Sequence, residues 1–217
     1  MIQSNSNNQF KTSLLWAVFL SACTGIFLLI EGKEESFLII NNNYSTSFDF
    51  FFKYYTFAGD GWMWALVLIG TFFFRRKFVI AVIAGIIIST FLSQILKRVV
   101  FPNELRPIHF LSEKFPVHII ESVTINRLHS FPSGHTAAAF TMALIISYMI
   151  NNKIWSFVLP LLALLVGYSR VYLAQHFLTD VFAGMCIGIF SAILSLMIYR
   201  SFIRYINKKT ASKSETA

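Results

Sequence analysis

The chain has 217 residues, 56% hydrophobic and 13% charged, with a mean hydropathy of +0.63, which excludes an ordinary soluble domain. Its 18 Lys and Arg against 10 Asp and Glu give a formal charge of +8. These cations are scattered over short polar breaks between apolar runs, a distribution that suits membrane loops and argues against a nucleic-acid surface.

Six apolar runs follow one another: residues 13–30, 62–74, 78–96, 136–150, 154–168 and 181–199. Lipid forces each segment to satisfy its own backbone hydrogen bonds, so the pattern predicts a single all-α integral membrane domain with six transmembrane helices. The first run lacks a small-residue cleavage site and five more follow it, so it reads as a retained helix and not as a signal peptide. Residues 36–57, rich in Asn, Ser, Thr, Phe and Tyr, suit either an amphipathic stretch in the headgroup region or an interfacial loop. The runs 62–74, 136–150 and 154–168 are shorter than the about 20 residues a span requires. Each abuts polar residues, so their helices are expected to continue outward through protein-buried positions that build a site. Residues 208–217 are short and polar and predict a flexible cytoplasmic tail. Cys23 and Cys186 lie inside apolar runs, where they read as small packing residues and not as a disulfide or a metal pair.

Orientation follows from the basic residues. Lys11, Arg75, Arg76, Lys77, Lys153, Arg200, Arg204, Lys208, Lys209 and Lys213 fall on one side of the six-run layout. Lys33, Lys53, Lys97, Arg98, Arg106, Lys114, Arg127 and Arg170 fall on the other, together with every acid except Glu215. Positively charged short loops stay cytoplasmic, which predicts cytoplasmic termini and two long external segments. His109, His118, His129, His135 and His176 all lie on the external side. Polar groups gathered at one end of an apolar bundle are costly unless they pair or line a wet cavity, so the site is expected there.

Three clusters carry the chemistry. Residues 97–107, KRVVFPNELRP, place Lys97, Arg98 and Arg106 just outside the third run, and a guanidinium fork beside an ammonium suits phosphate oxygens. Lipid-headgroup contact is the plainer reading of such residues taken alone. Residues 130–136, SFPSGHT, precede the fourth run and resemble an anion cradle. Pro132 suits a helix start and Gly134 permits close backbone approach, so the Ser133 hydroxyl and the amides of Ser133 and Gly134 are candidate donors, with His135 beside them. Residues 169–180, SRVYLAQHFLTD, set His176 and Asp180 four apart and add Arg170 as another cation. On a helix that spacing shares one face, so the carboxylate can hold one imidazole nitrogen and aim the other at a substrate. Metal binding would need a further His or Cys on the same helix, which is missing, so no metal ligands are assigned. His109, His118 and His129 read as capping or packing residues.

Taken together and in this order, the clusters resemble the signature of the type 2 phosphatidic acid phosphatase (PAP2) superfamily, which also includes vanadium haloperoxidases and membrane glucose-6-phosphatases. That signature is a lysine followed by Arg-Pro, then Pro-Ser-Gly-His, then Ser-Arg, five residues, His, three residues and Asp. The last two elements match without gaps, as Pro132 to His135 and Ser169 to Asp180. In the first, eight residues separate Lys97 from Arg106 where the family commonly has six, and Arg98 is an alternative to Lys97. The resemblance covers a core of about residues 78–200.

The resemblance implies a six-helix bundle with its site at the external end and a metal-independent phosphatase without a cofactor. It implies a membrane lipid phosphate as substrate, namely phosphatidic acid, phosphatidylglycerophosphate, undecaprenyl pyrophosphate or lipid A. A bacterial inner membrane is the expected location, with neither nucleic acid nor an obligate protein partner. Carried over by position, His176 is the nucleophile that forms a phosphohistidine, Asp180 orients it, and His135 protonates the leaving oxygen. Lys97, Arg106, Ser133, Gly134 and Arg170 hold the phosphoryl oxygens. His176 must be neutral while His135 must be protonated, so a bell-shaped pH dependence is expected. The alternatives are a noncatalytic lipid-phosphate binder, a transporter component, or vanadate-dependent halide oxidation in the same cradle.

Overall fold

Each of the six apolar runs lies within a helical stretch in the computed structural model, which describes residues 2–111 and 114–215. Helix α1 (Ile2–Asn41) is followed by α2 (Thr46–Tyr55), α3 (Gly61–Phe74), α4 (Val79–Ile95) and the short α5 (Pro107–Leu111). The second half contributes α6 (Gly134–Ile150), α7 (Lys153–Tyr172) and α8 (Leu178–Glu215), and the described residues contain no strand. Four stretches, Asn7–Asn41, Arg76–Val100, Lys153–Tyr172 and Leu178–Thr210, are long and apolar enough to cross a membrane. Thr46–Gly59 and Gly61–Phe74 form a pair bent by 54°, a fifth span if counted as one broken crossing. The chain is therefore a multi-pass, all-α membrane protein.

Helix α6 is only 17 residues long because it is wrapped by protein. It packs against α1, α4, α7 and α8, and buries Phe140, Leu144, Ile145 and Tyr148 among them. A helix shielded on every side has no hydrocarbon thickness to match. The tightest of these contacts is with α8, where Gly184 and Gly188 present a small-residue face four positions apart. A Cβ at Gly184 would stand 2.6 Å from the Ser133 carbonyl oxygen, and one at Gly188 2.6 Å from the Phe140 Cβ and 2.7 Å from the Ala137 carbonyl oxygen.

The outer surface is apolar, with Leu29, Ile30, Trp62, Phe74 and Val99 all exposed, as a lipid-facing surface requires. Cys23 and Cys186 belong to that surface. Both are free thiols and both are exposed, which corrects their reading as packing residues: each sits on the outward stripe of its helix.

The end of the bundle beyond Gly32 is built differently from a row of straight helices. Gly32 breaks α1 with φ 76° and ψ −178°, a conformation open essentially to glycine alone. Beyond it residues 33–41 bury Phe37, Leu38 and Asn41. The Asn41 Nδ2 donates to the carbonyls of His118 (3.0 Å) and Tyr172 (2.9 Å), while its Oδ1 accepts from the His118 amide (2.8 Å). This one side chain ties the end of α1 to the segment around His118 and to the end of α7. His118 also places Nε2 2.9 Å from Asp49 Oδ1 and stacks on Tyr44 at 3.8 Å, so it has a structural role. Helix α2 turns Phe48, Phe50, Phe51 and Tyr54 outward and buries Phe52 against Tyr168 and Tyr172, which favours the amphipathic reading of this stretch over a loop.

Of the short runs, the fifth extends outward as expected, through buried Ser169, Arg170, Val171 and Tyr172. The second does not run on straight: the chain bends at Asp60, whose side chain caps α3 by accepting from the Gly61 amide at 2.6 Å. At the other end of the molecule α8 continues through Lys208 and Lys209 to Glu215, a helical backbone where composition favours a flexible tail. Residues 216 and 217 lie outside the described residues.

The α6–α8 contact has a direct test. Replacing Gly188 by Leu puts a side chain where backbone and Phe140 leave no room, and is expected to destabilise the protein by about 1–3 kcal/mol, the scale of overpacking. A lower Tm in detergent relative to wild type is the expected reading, and an unchanged Tm would contradict the close approach.

Candidate active site

The site begins where α7 stops. Ala174 takes φ 52°, and the amides of Gln175 and His176 fold back onto the Arg170 carbonyl at 3.0 and 3.1 Å. His176 therefore stands in a tight turn ahead of α8, almost fully buried. This corrects the picture of His176 and Asp180 on one helical face. Asp180 is the third residue of α8, and its Oδ2 reaches back to accept from the Phe177 amide at 3.0 Å, one half of a helix capping box. The same oxygen lies 3.3 Å from His176 Nδ1 and accepts from Ser130 Oγ at 2.5 Å. Thr179 Oγ1 donates to the other carboxylate oxygen at 3.3 Å. With a carboxylate as its partner, Nδ1 carries the ring proton and Nε2 keeps its lone pair.

A cavity of about 350 Å³ opens in front of this pair. Lys97, Arg106, Gly134, His135, Arg170 and His176 all line it, so the three sequence clusters converge on one space. Lys97 comes from a π-helical turn, Leu96–Val100, that continues α4 and closes with the Phe101 amide on the Leu96 carbonyl at 2.8 Å. Such wide turns re-aim side chains and recur at functional sites. Arg98 faces away, exposed, with its Nε donating to Gln94 Oε1 at 2.9 Å. Lys97 is thus the cation that the cavity receives, and the eight-residue spacing still brings it together with Arg106.

Each guanidinium is anchored by neutral acceptors. Arg106 donates through Nη1 to the Gln175 carbonyl at 3.0 Å and through Nε to that of Leu128 at 3.4 Å. Arg170 donates through Nη1 to Thr56 Oγ1 at 2.6 Å, while its buried Nε has no partner among the described residues. Among the described residues, none of the three cations forms an ion pair. Asp60 is the one acid in the lining, so an excess of buried positive charge remains that an anion would offset. Burial pushes the His176 imidazole well below its ordinary pKa of 6.5, and Arg106, Lys97 and Arg170 add to the effect, so the ring is neutral near pH 7.

Ser133 plays a different part from the one expected. It caps α6, accepting from Thr136 Oγ1 at 2.9 Å and from the Thr136 amide at 3.4 Å, and it is fully buried. Its own amide is spent on the Asp180 carbonyl at 2.9 Å, so that amide is not free for a ligand. Pro132 precedes this cap and lies outside the helix. Gly134 and His135 head α6 and line the cavity, and their amides are among the four that a helix leaves unsatisfied. Of the two amides named from the sequence, that of Gly134 thus remains available to a ligand, with that of His135 beside it.

Sequence reasoning missed Ser130, Thr56, Asp60 and Trp64. Ser130 and Thr56 are 50 and 114 residues from the groups they hold, a distance no local pattern bridges. Asp60 offered a signal, an acid two residues before the start of an apolar run. His109, His118 and His129 do not line the cavity. Among the described residues, no group of three or more His, Cys, Asp or Glu is placed to hold a metal ion.

The family described as the PAP2 superfamily matches residues 78–204. Over 179 residues the chain is 29% identical to an undecaprenyl-diphosphatase of Sulfolobus acidocaldarius, covering 78% of this chain and 82% of that one. It is 25% identical over 183 residues to the lipid A 4'-phosphatase of Porphyromonas gingivalis, covering 81% and 75% respectively. The crystal structure of Aquifex aeolicus LpxE is similar with a TM-score of 0.64 and 36% identity, over 76% of this chain and 94% of that chain.

An imidazole titration followed by NMR in detergent checks the electrostatics of the site. The His176 ring is expected to remain neutral as the pH falls through 6.5, because protonation would add a fourth cation to the cavity. Protonation of His176 at its ordinary pKa would contradict the burial and the field described above.

Proposed function

The chain belongs to the PAP2 superfamily, and from that membership and the geometry of the cavity we propose that it is a lipid phosphate phosphatase working through a phosphohistidine. The observation that carries the reading is a neutral His176, fixed by Asp180, facing a cavity where three cations stand against the single carboxylate of Asp60 and, among the described residues, form no ion pair. His176 Nε2 attacks phosphorus, the P–N bond forms as the P–O bond to the lipid breaks, and His135 gives its proton to the leaving oxygen. Water then attacks the phosphohistidine with His135 taking up its proton, and inorganic phosphate leaves. Lys97, Arg106, Arg170 and the amides at the head of α6 meet the charge that builds on the phosphoryl oxygens, work that elsewhere falls to a metal ion.

The bent α2–α3 pair and the protein-shielded α6 bring the four long spans to six crossings in this reading. The basic residues then place both termini in the cytoplasm and the cavity on the external face of a bacterial inner membrane. A lipid phosphate at that surface reaches the site without leaving the bilayer.

Purified protein in detergent, with chelator present, is expected to release phosphate from a lipid phosphate. His176→Ala should lose at least about 10³-fold in kcat, the scale on which removing a nucleophile acts. His135→Asn should lose about 10²–10⁴-fold, the range of general acid–base catalysis. Activity retained in His176→Ala would overturn the mechanism. Absence of release from every lipid would favour a lipid-phosphate binder or transporter component, and bromide oxidation after vanadate addition would favour a haloperoxidase.

The pH profile of kcat/KM supplies a second check. His176 must be neutral to attack, and its pKa is depressed, so activity is lost only as the pH drops through that lowered value. The acid limb is expected clearly below pH 6.5. An acid limb at or above 6.5 would contradict the neutral-nucleophile reading.

A further inference from the structure

One wall of the cavity has no part in the mechanism. It consists of Asp60 and Trp64 at the head of α3 and of Ser89, Thr90, Ser93 and Gln94 on α4. Its height in the bundle follows from Gly85, where an added Cβ would stand 3.2 Å from Thr141 Cγ2 and 2.6 Å from Ile145 Cδ1. Helix α4 runs towards the cavity, with Lys97 just past its end, and α6 runs away from it, with His135 in its first turn, so the two are antiparallel. The step from Gly85 to Ser93 is about 12 Å at the usual helical rise. The same number of residues, taken back along α6 from Thr141 and Ile145, arrives at Ser133 and Ala137. His135 lies midway between them, so Ser93 stands at the level of His135.

Hydroxyls on the spanning helices commonly spend their proton on the carbonyl four residues back, as those of Ser21, Thr24, Ser89, Thr141 and Ser156 do. Ser93, one turn beyond Ser89 and 4% exposed, does not: its Oγ has no partner among the described residues. Neither has the Nε1–H of Trp64, which is 6% exposed. Trp64 Cη2 comes within 3.4 Å of the same Gly85 position, which lays the indole against α4 one turn or more below Ser93. Ser13 and Ser191 are also unpaired among the described residues, but neither lines the cavity. A buried hydroxyl and a buried N–H are costly when left unpaired, and a water molecule held by several polar groups is the usual remedy. Ser93, Trp64 and the His135 ring supply such a set, with both donors and acceptors.

The second chemical step consumes a water. Its oxygen bonds to phosphorus as the P–Nε2 bond breaks, the electron pair returns to His176, and a proton of the water passes to His135. An in-line displacement brings that oxygen in opposite Nε2, through the place the lipid oxygen has just left, and this is the side on which His135 acts. A water bound at the level of His135 has only to move into that place. We propose that Ser93 and Trp64 hold the water that attacks the phosphohistidine, and that they are positioning residues for the second step alone. This rests on the phosphatase reading above and adds to it the groups that deliver the second acceptor.

The test follows radiolabelled phosphatidic acid in detergent through both steps, with wild type, Ser93→Ala and Trp64→Phe. Quenching in alkali preserves a phosphohistidine, so its amount and its decay are read directly. In Ser93→Ala the decay of the labelled enzyme is expected to slow about tenfold, the scale of one lost hydrogen bond to the reacting water, and labelled enzyme accumulates. The initial burst of diacylglycerol and kcat/KM, which reports only the steps through phosphorylation, keep their wild-type values while kcat falls. Trp64→Phe is expected to act in the same direction, and it carries the test if Ser93→Ala fails to fold. Unchanged decay in both variants overturns the inference and leaves the phosphatase intact. An equal loss in kcat and kcat/KM overturns it too, since a merely structural wall would act on both steps. A wild type that releases phosphate neither from this lipid nor from lipid A overturns the phosphatase reading itself.

Discussion

Three cations, Lys97, Arg106 and Arg170, share one cavity at the end of an apolar bundle with a single carboxylate, Asp60, and the cost of holding that excess positive charge there governs the rest of the structure. Like charges in a low-dielectric space repel, and each must be fixed by something other than a counter-ion. The chain meets this by placing them on three separate elements and anchoring the two guanidinium groups with carbonyl and hydroxyl oxygens. The anchors hold geometry without cancelling charge. What remains is a preformed positive field, directed at the space in front of His176, that costs no reorganisation when a phosphoryl group arrives.

That field would be useless against a protonated histidine, and burial, reinforced by the same cations, keeps the ring neutral. Asp180 completes the arrangement by serving two purposes at once. Its carboxylate caps the first turn of α8 and orients the imidazole, while its carbonyl ties down the Ser133 amide at the head of α6. The two helix starts that carry the proposed catalytic groups are locked to each other through one residue. Behind them Gly184 and Gly188 let α8 press against α6, so the lock sits on rigid packing. At the same end of the bundle, Lys33 on the kinked end of α1 lies 4.4 Å from the Phe177 ring and pairs with Glu104 at 3.7 Å, which presses the end of α1 onto the turn next to His176.

Much of this was legible in the residue order. The apolar runs gave the helices because lipid admits little else, and the three polar clusters were conspicuous because such residues are expensive at bundle ends. What stayed hidden depended on tertiary contact or on special backbone. The His176–Asp180 spacing pointed to a shared helical face, whereas capping brings the pair together from a turn. The donor role given to the Ser133 amide failed because a carbonyl 47 residues away claims it. The wall formed by Asp60, Trp64 and α4 could not be read because the 54° bend that carries Asp60 and Trp64 to α4 leaves no periodic trace. The kink at Gly32 is likewise silent, since an isolated glycine in an apolar run rarely announces a positive φ.

The central claim is that phosphorus is attacked by His176 and only afterwards by water. The stereochemical course at phosphorus tests it most directly, using a lipid phosphate made chiral with oxygen isotopes and an acceptor alcohol in place of water. Two successive in-line displacements give net retention of configuration, which is the result this account expects. Net inversion would mean a single displacement by the acceptor itself, and would reduce His176 from nucleophile to a group that merely positions the substrate.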